Sequence, residues 1–379
     1  MMAQRFEWTA TLLWLVLLAL GGLLVTSASL EIASVRYGGA LTFAARHGLY
    51  LVVSLATFLA VLMVPVVHWR RLGPLAYLGS VVLLLAVLVV GREVNGSLRW
   101  IGFGPLTLQP SELAKFGLLI YLAHSLTRHQ EAVRSSLWGM VRPLVWLLGP
   151  MALILAEPDL GSVVVIMVAA GGLVTLAGAR LRDLTLVVVL GGALVGAAVY
   201  FQPYRLARFQ TFLNPWADEF GTGYQLTQAL IAFGRGEWFG VGLGEGLQKL
   251  FYLPEAHTDF IYAVLAEELG ALGALMVLAM LVVLVQRGLA QGRRAELRGD
   301  FFAAFLAYGA GFLLAVQVLV SLGVNTGVLP TKGLTLPFLS YGGNSLVVSS
   351  ALVALIARVA WENDQAPPSP TSARGERKA

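Results

Sequence analysis

Long apolar runs separated by polar connectors dominate the chain. Ten stretches are long enough to cross a bilayer as helices, near residues 10–30, 48–67, 73–91, 111–127, 141–157, 160–178, 184–201, 259–286, 301–323 and 339–359. The connectors are unequal. On one side they are short and basic, as in His68-Trp69-Arg70-Arg71 and Arg287 to Arg298. On the other side three are long, running from Arg92 to Ser111, from about Gln202 to Thr258, and from Asn325 to Ser345. The pattern predicts an all-α polytopic membrane protein of about ten transmembrane helices, a single domain over residues 1–362. One large loop (about 202–258) and two smaller structured loops share one face, and a polar, Pro-rich tail at 363–379 is expected to be disordered.

Composition agrees. Of 379 residues 58% are hydrophobic and 12% charged, too few charges to solvate a globular surface of this size. Ser27-Ala28-Ser29 has the form of a signal cleavage site, but the preceding apolar core is longer than a signal core and nine more spans follow, so the first segment reads as a retained helix. Placing the N-terminus inside puts 16 of the 26 Lys and Arg on the cytoplasmic side, which makes both termini cytoplasmic. The net charge of +5 follows from that topology and gives no case for nucleic-acid binding. Without Cys the chain has no disulfide and no thiolate metal site.

The three long loops carry Trp, Phe, Tyr and Leu throughout, which predicts packed structure and a site at the outer membrane surface. Asp259 stands at the mouth of an apolar helix, where a carboxylate is costly to desolvate, so it is the first candidate for chemistry. The alternative is a helix N-cap by Thr258 or Asp259. Glu255 and His257 are its neighbours, and His257 has no second His at metal-ligand spacing. Arg205 and Arg208 are three apart and could grip a pyrophosphate from one side of a helical turn, or simply anchor a helix end at the interface. Lys249 and Lys332 are similar candidates. Glu112 and Lys115, at i and i+3, are either a structural ion pair or a cavity wall. Asp159 either caps the sixth helix or supplies a second acid, and Arg99 and Gln109 could bind sugar or phosphate. Ser111, Ser340 and Tyr341 complete the substrate-contact candidates, with Tyr341-Gly342-Gly343 permitting close backbone approach. Adjacent Glu267 and Glu268, two turns into the eighth span, are expected to hydrogen-bond to loop residues.

Several of these strings resemble one family. They are Gln109-Pro110-Ser111-Glu112-Leu113-Ala114-Lys115, Glu157-Pro158-Asp159-Leu160-Gly161, Tyr204-Arg205-Leu206-Ala207-Arg208, Gly221-Thr222-Gly223-Tyr224-Gln225, Leu253 through Phe260, and Glu267-Glu268-Leu269-Gly270. In this order they resemble the SEDS family of polytopic peptidoglycan polymerases, the FtsW/RodA group. The stretch Leu329 to Pro337 is more similar to the division member than to the elongation member, whereas Asn344 stands where the family usually has Ser. The resemblance implies polymerisation of lipid II at the periplasmic face of the bacterial inner membrane, at the division septum. It also implies a class B penicillin-binding protein of the FtsI type as partner, with FtsQ-, FtsL- and FtsB-type divisome proteins. Inverting glycosyl transfer needs one base, which the resemblance assigns to Asp259, and cations can assist the leaving pyrophosphate. No cofactor is required, although the chemistry leaves room for a divalent cation, Mg or Mn. A lipid-precursor flippase and a non-catalytic scaffold are the competing readings.

Overall fold

The computed structural model describes residues 7–94, 97–104, 106–201, 212, 214–221, 223–330 and 333–365. Apolar sequence becomes helix: α1 (Trp8–Tyr37), α2 (Thr42–Met63), α3 (Val66–Val90), α4 (Pro110–Arg128), α5 (Gln130–Ser135), α6 (Leu137–Ala156), α7 (Leu160–Leu176) and α8 (Leu181–Tyr200). The large loop contains α9 (Tyr224–Gly236), and α10 (Ile261–Leu297), α11 (Phe301–Asn325) and α12 (Gly343–Gln365) follow. Ten of these overlie the ten predicted runs. Seven of the described helices are long and apolar enough to cross a membrane. Of the other three, α7 is apolar but only 17 residues long, so length and apolarity do not establish the full count of ten.

Two features depart from the expected pattern. The first outer loop holds a small antiparallel sheet, β1 (Arg92–Val94), β2 (Ser97–Phe103) and β3 (Leu106–Leu108), with Arg92 opposite Trp100 and Ile101 opposite Leu108. In addition, α12 continues to Gln365, so the first three residues of the expected tail are helical.

Polar residues set the helix starts. Pro110 opens α4, where its missing N–H costs nothing, and Glu112 lies in the first turn. Ser136 caps α6 through the Gly139 amide at 3.1 Å, and Asp300 caps α11 through the Ala303 amide at 3.1 Å. The buried share of the most apolar stretch is 89% in α12 and 78% in α11, against 22% in α3. The two C-terminal helices therefore form the centre, and α3 faces lipid. Around them α10 lies along α11, α2 along α12, and α3 along α4.

At 37 residues α10 would be about 55 Å long, well beyond a hydrocarbon core of roughly 30 Å. It is broken at Gly270, whose backbone (φ 70°, ψ −176°) suits glycine alone. The amides freed by the break are satisfied from the end of α9: Ala271 N–H donates to Glu237 O at 2.8 Å and Leu272 N–H to Trp238 O at 3.2 Å. Residues Ile261–Glu268 before the break are buried, whereas Leu272 beyond it is half exposed. The first part of α10 is thus enclosed by protein, and Asp259 stands at its head.

Candidate active site

Asp259 lies in the turn that leads into α10 and is half-buried rather than sealed. The turn is held by side chains from other elements. Asn325, at the end of α11, donates through Nδ2 to the Asp259 carbonyl at 2.8 Å and accepts the Ala263 amide on Oδ1 at 3.2 Å. The same amide also donates to the Phe260 carbonyl at 3.0 Å, and α10 starts without a side-chain cap from the residue before it. The Thr258 hydroxyl donates to Glu255 Oε2 at 2.8 Å, so Glu255 braces the turn. The Asp259 carboxylate faces Gly333, where an added Cβ would stand 3.2 Å from Oδ2. His257 sits between Phe43 and Tyr341, with ring centroids 5.1 Å and 5.7 Å away, and its carbonyl accepts the Tyr341 amide at 2.8 Å. Ser340 is buried and accepts the Leu336 amide at 2.8 Å, closing the turn before α12.

A second cluster is built on the starts of α4 and α7. Asp159 caps α7, accepting from Ser162 N at 3.1 Å and Ser162 Oγ at 2.7 Å, and accepts a third bond from Ser111 Oγ at 2.9 Å. Gln109 Nε2 donates to Ser111 Oγ at 3.1 Å. Arg99, carried by β2, donates to the carbonyls of Glu157 (2.8 Å) and Pro158, clamping the α6–α7 connection. Glu112 and Lys115 form a buried ion pair at 2.7 Å, with Lys115 above an apolar cavity lined by Leu118, Leu147, Ile166, Leu173 and Leu313.

The two clusters are neighbours. Gly333 touches Asp259, and the next residue, Leu334, packs on Gly161, where a Cβ would meet Leu334 Cγ at 2.9 Å. Lys249 is placed elsewhere. Its buried ammonium pairs with the buried Glu268 at 2.6 Å and donates to the half-buried Ser27 at 2.7 Å, so it braces the large loop instead of presenting a cation to a site. Glu267 accepts the amides of Leu247 and Gln248, each at 3.1 Å. Arg205, Arg208 and Lys332 lie outside the described residues.

Sequence reasoning passed over several residues of this region. Asn344 donates to Thr107 O at 2.7 Å and Tyr50 OH to the same carbonyl at 3.0 Å, tying α12, β3 and α2 together. His47, on α2, is buried beside Tyr341, and neither ring nitrogen has a hydrogen-bond partner among the described residues. Glu157 is fully buried just past the end of α6. Burial, reinforced by Asp159 and partly offset by Arg99, pushes its carboxyl up to about 8. Only Asn325 and Asn344 offered a signal, being amides at the edges of polar loops.

Chemically, the described residues offer a half-buried carboxylate at Asp259 beside the exposed Glu255, the Arg99 guanidinium on the α6–α7 connection, and an apolar flank. Among the described residues no three His, Asp or Glu side chains converge as a metal site.

Known proteins share this fold. Residues 7–365 match the family model FtsW/RodA/SpoVE, described as cell cycle protein. The chain is 53% identical over 351 residues (92% of this chain, 86% of the relative) to a probable peptidoglycan glycosyltransferase FtsW of Pseudomonas fluorescens. It is 48% identical over 352 residues (92% and 94%) to that of Coxiella burnetii. A chain from a solved peptidoglycan synthase complex superposes with TM-score 0.77 at 30% identity, covering 96% of this chain and 99% of that one. The rod shape determining protein RodA of Thermus thermophilus gives TM-score 0.68 at 28% identity, covering 94% and 97%. With a matched model spanning nearly its whole length and relatives at about half identity, this chain belongs to the FtsW/RodA/SpoVE family of cell cycle proteins.

Proposed function

We propose that this chain is a peptidoglycan glycosyltransferase that polymerises lipid II into glycan strands during septal wall synthesis. Its relatives carry that enzyme name. The observation that carries the mechanism is Asp259, a half-buried carboxylate at the head of an enclosed helix segment, facing a glycine. In a single inverting displacement the acceptor sugar hydroxyl attacks the donor anomeric carbon and its proton passes to the Asp259 carboxylate. The bond from that carbon to the pyrophosphate oxygen breaks, and undecaprenyl pyrophosphate leaves. The leaving group needs no proton, so cations can stabilise it, and Arg99, Arg205, Arg208 and Lys332 are the candidates, a divalent Mg or Mn ion being a further one.

The protein then sits in the bacterial inner membrane with both termini cytoplasmic and Asp259 at the periplasmic face. The basic short connections support this orientation. A class B penicillin-binding protein of the FtsI type is the crosslinking partner, supported by the likeness to a chain of a complex that coordinates polymerization and crosslinking. FtsQ-, FtsL- and FtsB-type proteins complete the proposed divisome contacts.

The test is lipid II polymerisation by the purified protein with its partner, with and without divalent cation. Removing a positioned base typically costs about 10²- to 10⁴-fold, so Asp259→Ala and Asp259→Asn should lose at least that much activity at unchanged yield. Normal glycan strands from Asp259→Ala overturn the assignment. Transfer of labelled lipid across liposome membranes by that same inactive variant would instead favour a flippase.

A further inference from the structure

Glu157 is an acid of the outer clusters to which the mechanism above gives no part. Its side chain is 0% exposed, and neither carboxyl oxygen meets a hydrogen-bond partner among the described residues. Its neighbours are arranged as if it bore no charge. Arg99 spends its guanidinium on the backbone carbonyls of Glu157 and Pro158, not on the carboxyl. Two residues on, Asp159 collects three donors from Ser111 and Ser162. Asp159 is thus supplied with donors and Glu157 is not, and burying a carboxylate without donors is prohibitive.

We propose that Glu157 is held as a neutral carboxylic acid beside Arg99 and Asp159, and that its neutrality keeps the outer site open to an anionic lipid headgroup. The inference rests on the glycosyltransferase reading for the identity of that headgroup. With Glu157 protonated, Arg99 and Asp159 sum to zero charge. Ionisation makes the group net negative, repels a pyrophosphate, and draws the Arg99 guanidinium away from the carbonyls by which it holds the α6–α7 connection. Glu157 is accordingly a positioning residue, acting through Arg99 and Asp159. The ionisable groups that bear on it are Arg99 from β2 and Asp159 from its own connection. From α4 come Glu112 and Lys115, already paired with each other, and the segment 333–337 brings no ionisable residue. Burial, which pushes the Glu157 carboxyl up to about 8, points the same way.

Two measurements on the full-length protein decide it. Infrared spectra of substrate-free wild type minus Glu157→Gln should show the carbonyl band of a protonated acid, lost as pH is raised past about 8. In lipid II polymerisation, the wild-type KM should climb over the same range while kcat changes less, and Glu157→Gln, which cannot ionise, should keep a flat KM. Glu157→Ala, which leaves a polar hole, should lose about tenfold in kcat/KM at neutral pH, with Glu157→Gln recovering most of it. Absence of the band at neutral pH, or a Glu157→Gln profile that superimposes on wild type, overturns the proposal. A protein that shows the titrating band but polymerises nothing upholds the neutral acid and overturns the glycosyltransferase reading instead.

Discussion

Asn325 and Gly333 show how single side chains set the position of Asp259. Asn325 is fully buried and uses both ends of its amide, so Asn325→Ala removes the donor to the Asp259 carbonyl and leaves the Ala263 amide only the Phe260 carbonyl. Losing these bonds should cost about 1–3 kcal/mol, read as a lower thermal midpoint in detergent, with activity falling as Asp259 loosens. Gly333→Ala works in the opposite way. Its added methyl crowds the Asp259 carboxylate at 3.2 Å without demanding a left-handed backbone. Polymerisation should drop several-fold while the thermal midpoint stays put, roughly the effect of a displacement of a few tenths of an ångström at the reacting group. Glu157 adds a pH dependence. The folded protein holds that proton more tightly than the unfolded chain does, so stability falls as pH rises from 4.5 to about 8 and levels off above. The slope is at most about 1.4 kcal/mol per pH unit, and thermal unfolding of Glu157→Gln should lack it.

At the scale of elements, the break in α10 is the decisive device. It separates an enclosed segment, Ile261–Glu268, from a lipid-facing one, and its backbone groups are satisfied only because the end of α9 crosses there. A Cβ at Gly270 would meet Trp238 O at 2.5 Å, on a backbone closed to other residues. Gly270→Ala should therefore fail to accumulate as folded protein, which yield and size-exclusion profile will show. In the sequence Glu267-Glu268-Leu269-Gly270 falls inside the eighth predicted span without a break, because the apolar run continues through it and periodicity reads one long helix. The outer sheet was equally hard to see. Its strands are three to seven residues long, and their pairing is fixed by Tyr50 and Asn344 meeting the Thr107 carbonyl from two distant helices.

Over the whole molecule the bundle is closed at the end opposite Asp259 by a buried polar clasp. Glu7 accepts two bonds from Arg287, at 2.6 and 2.9 Å, and one from Gln291 at 2.6 Å. Asn363 donates to Gln291, and Glu362 joins Arg358 to the Val66 amide. This joins the entrance of α1 to α10 and, through Asn363 and Glu362, to the end of the central α12 and the start of α3. Glu7→Ala strands a partly buried guanidinium and should cost about 3–5 kcal/mol, measured as a fall in detergent stability, with Glu7→Gln costing less.

That the chain is a membrane protein, where its long apolar helices run, and which acidic residue heads the eighth of them were all legible along the chain. These follow from local properties: twenty apolar residues bury their backbone only as a helix, and a charge at such a helix end stands out against them. Which polar residues meet came from the packing of the helices alone. Lys249 and Glu268 lie 19 residues apart, Asn325 and Asp259 lie 66 apart, and Lys249 reaches a serine on the first helix. In a medium without water a polar side chain takes whichever partner the packing of helices brings to it, and no periodicity along the chain records that choice.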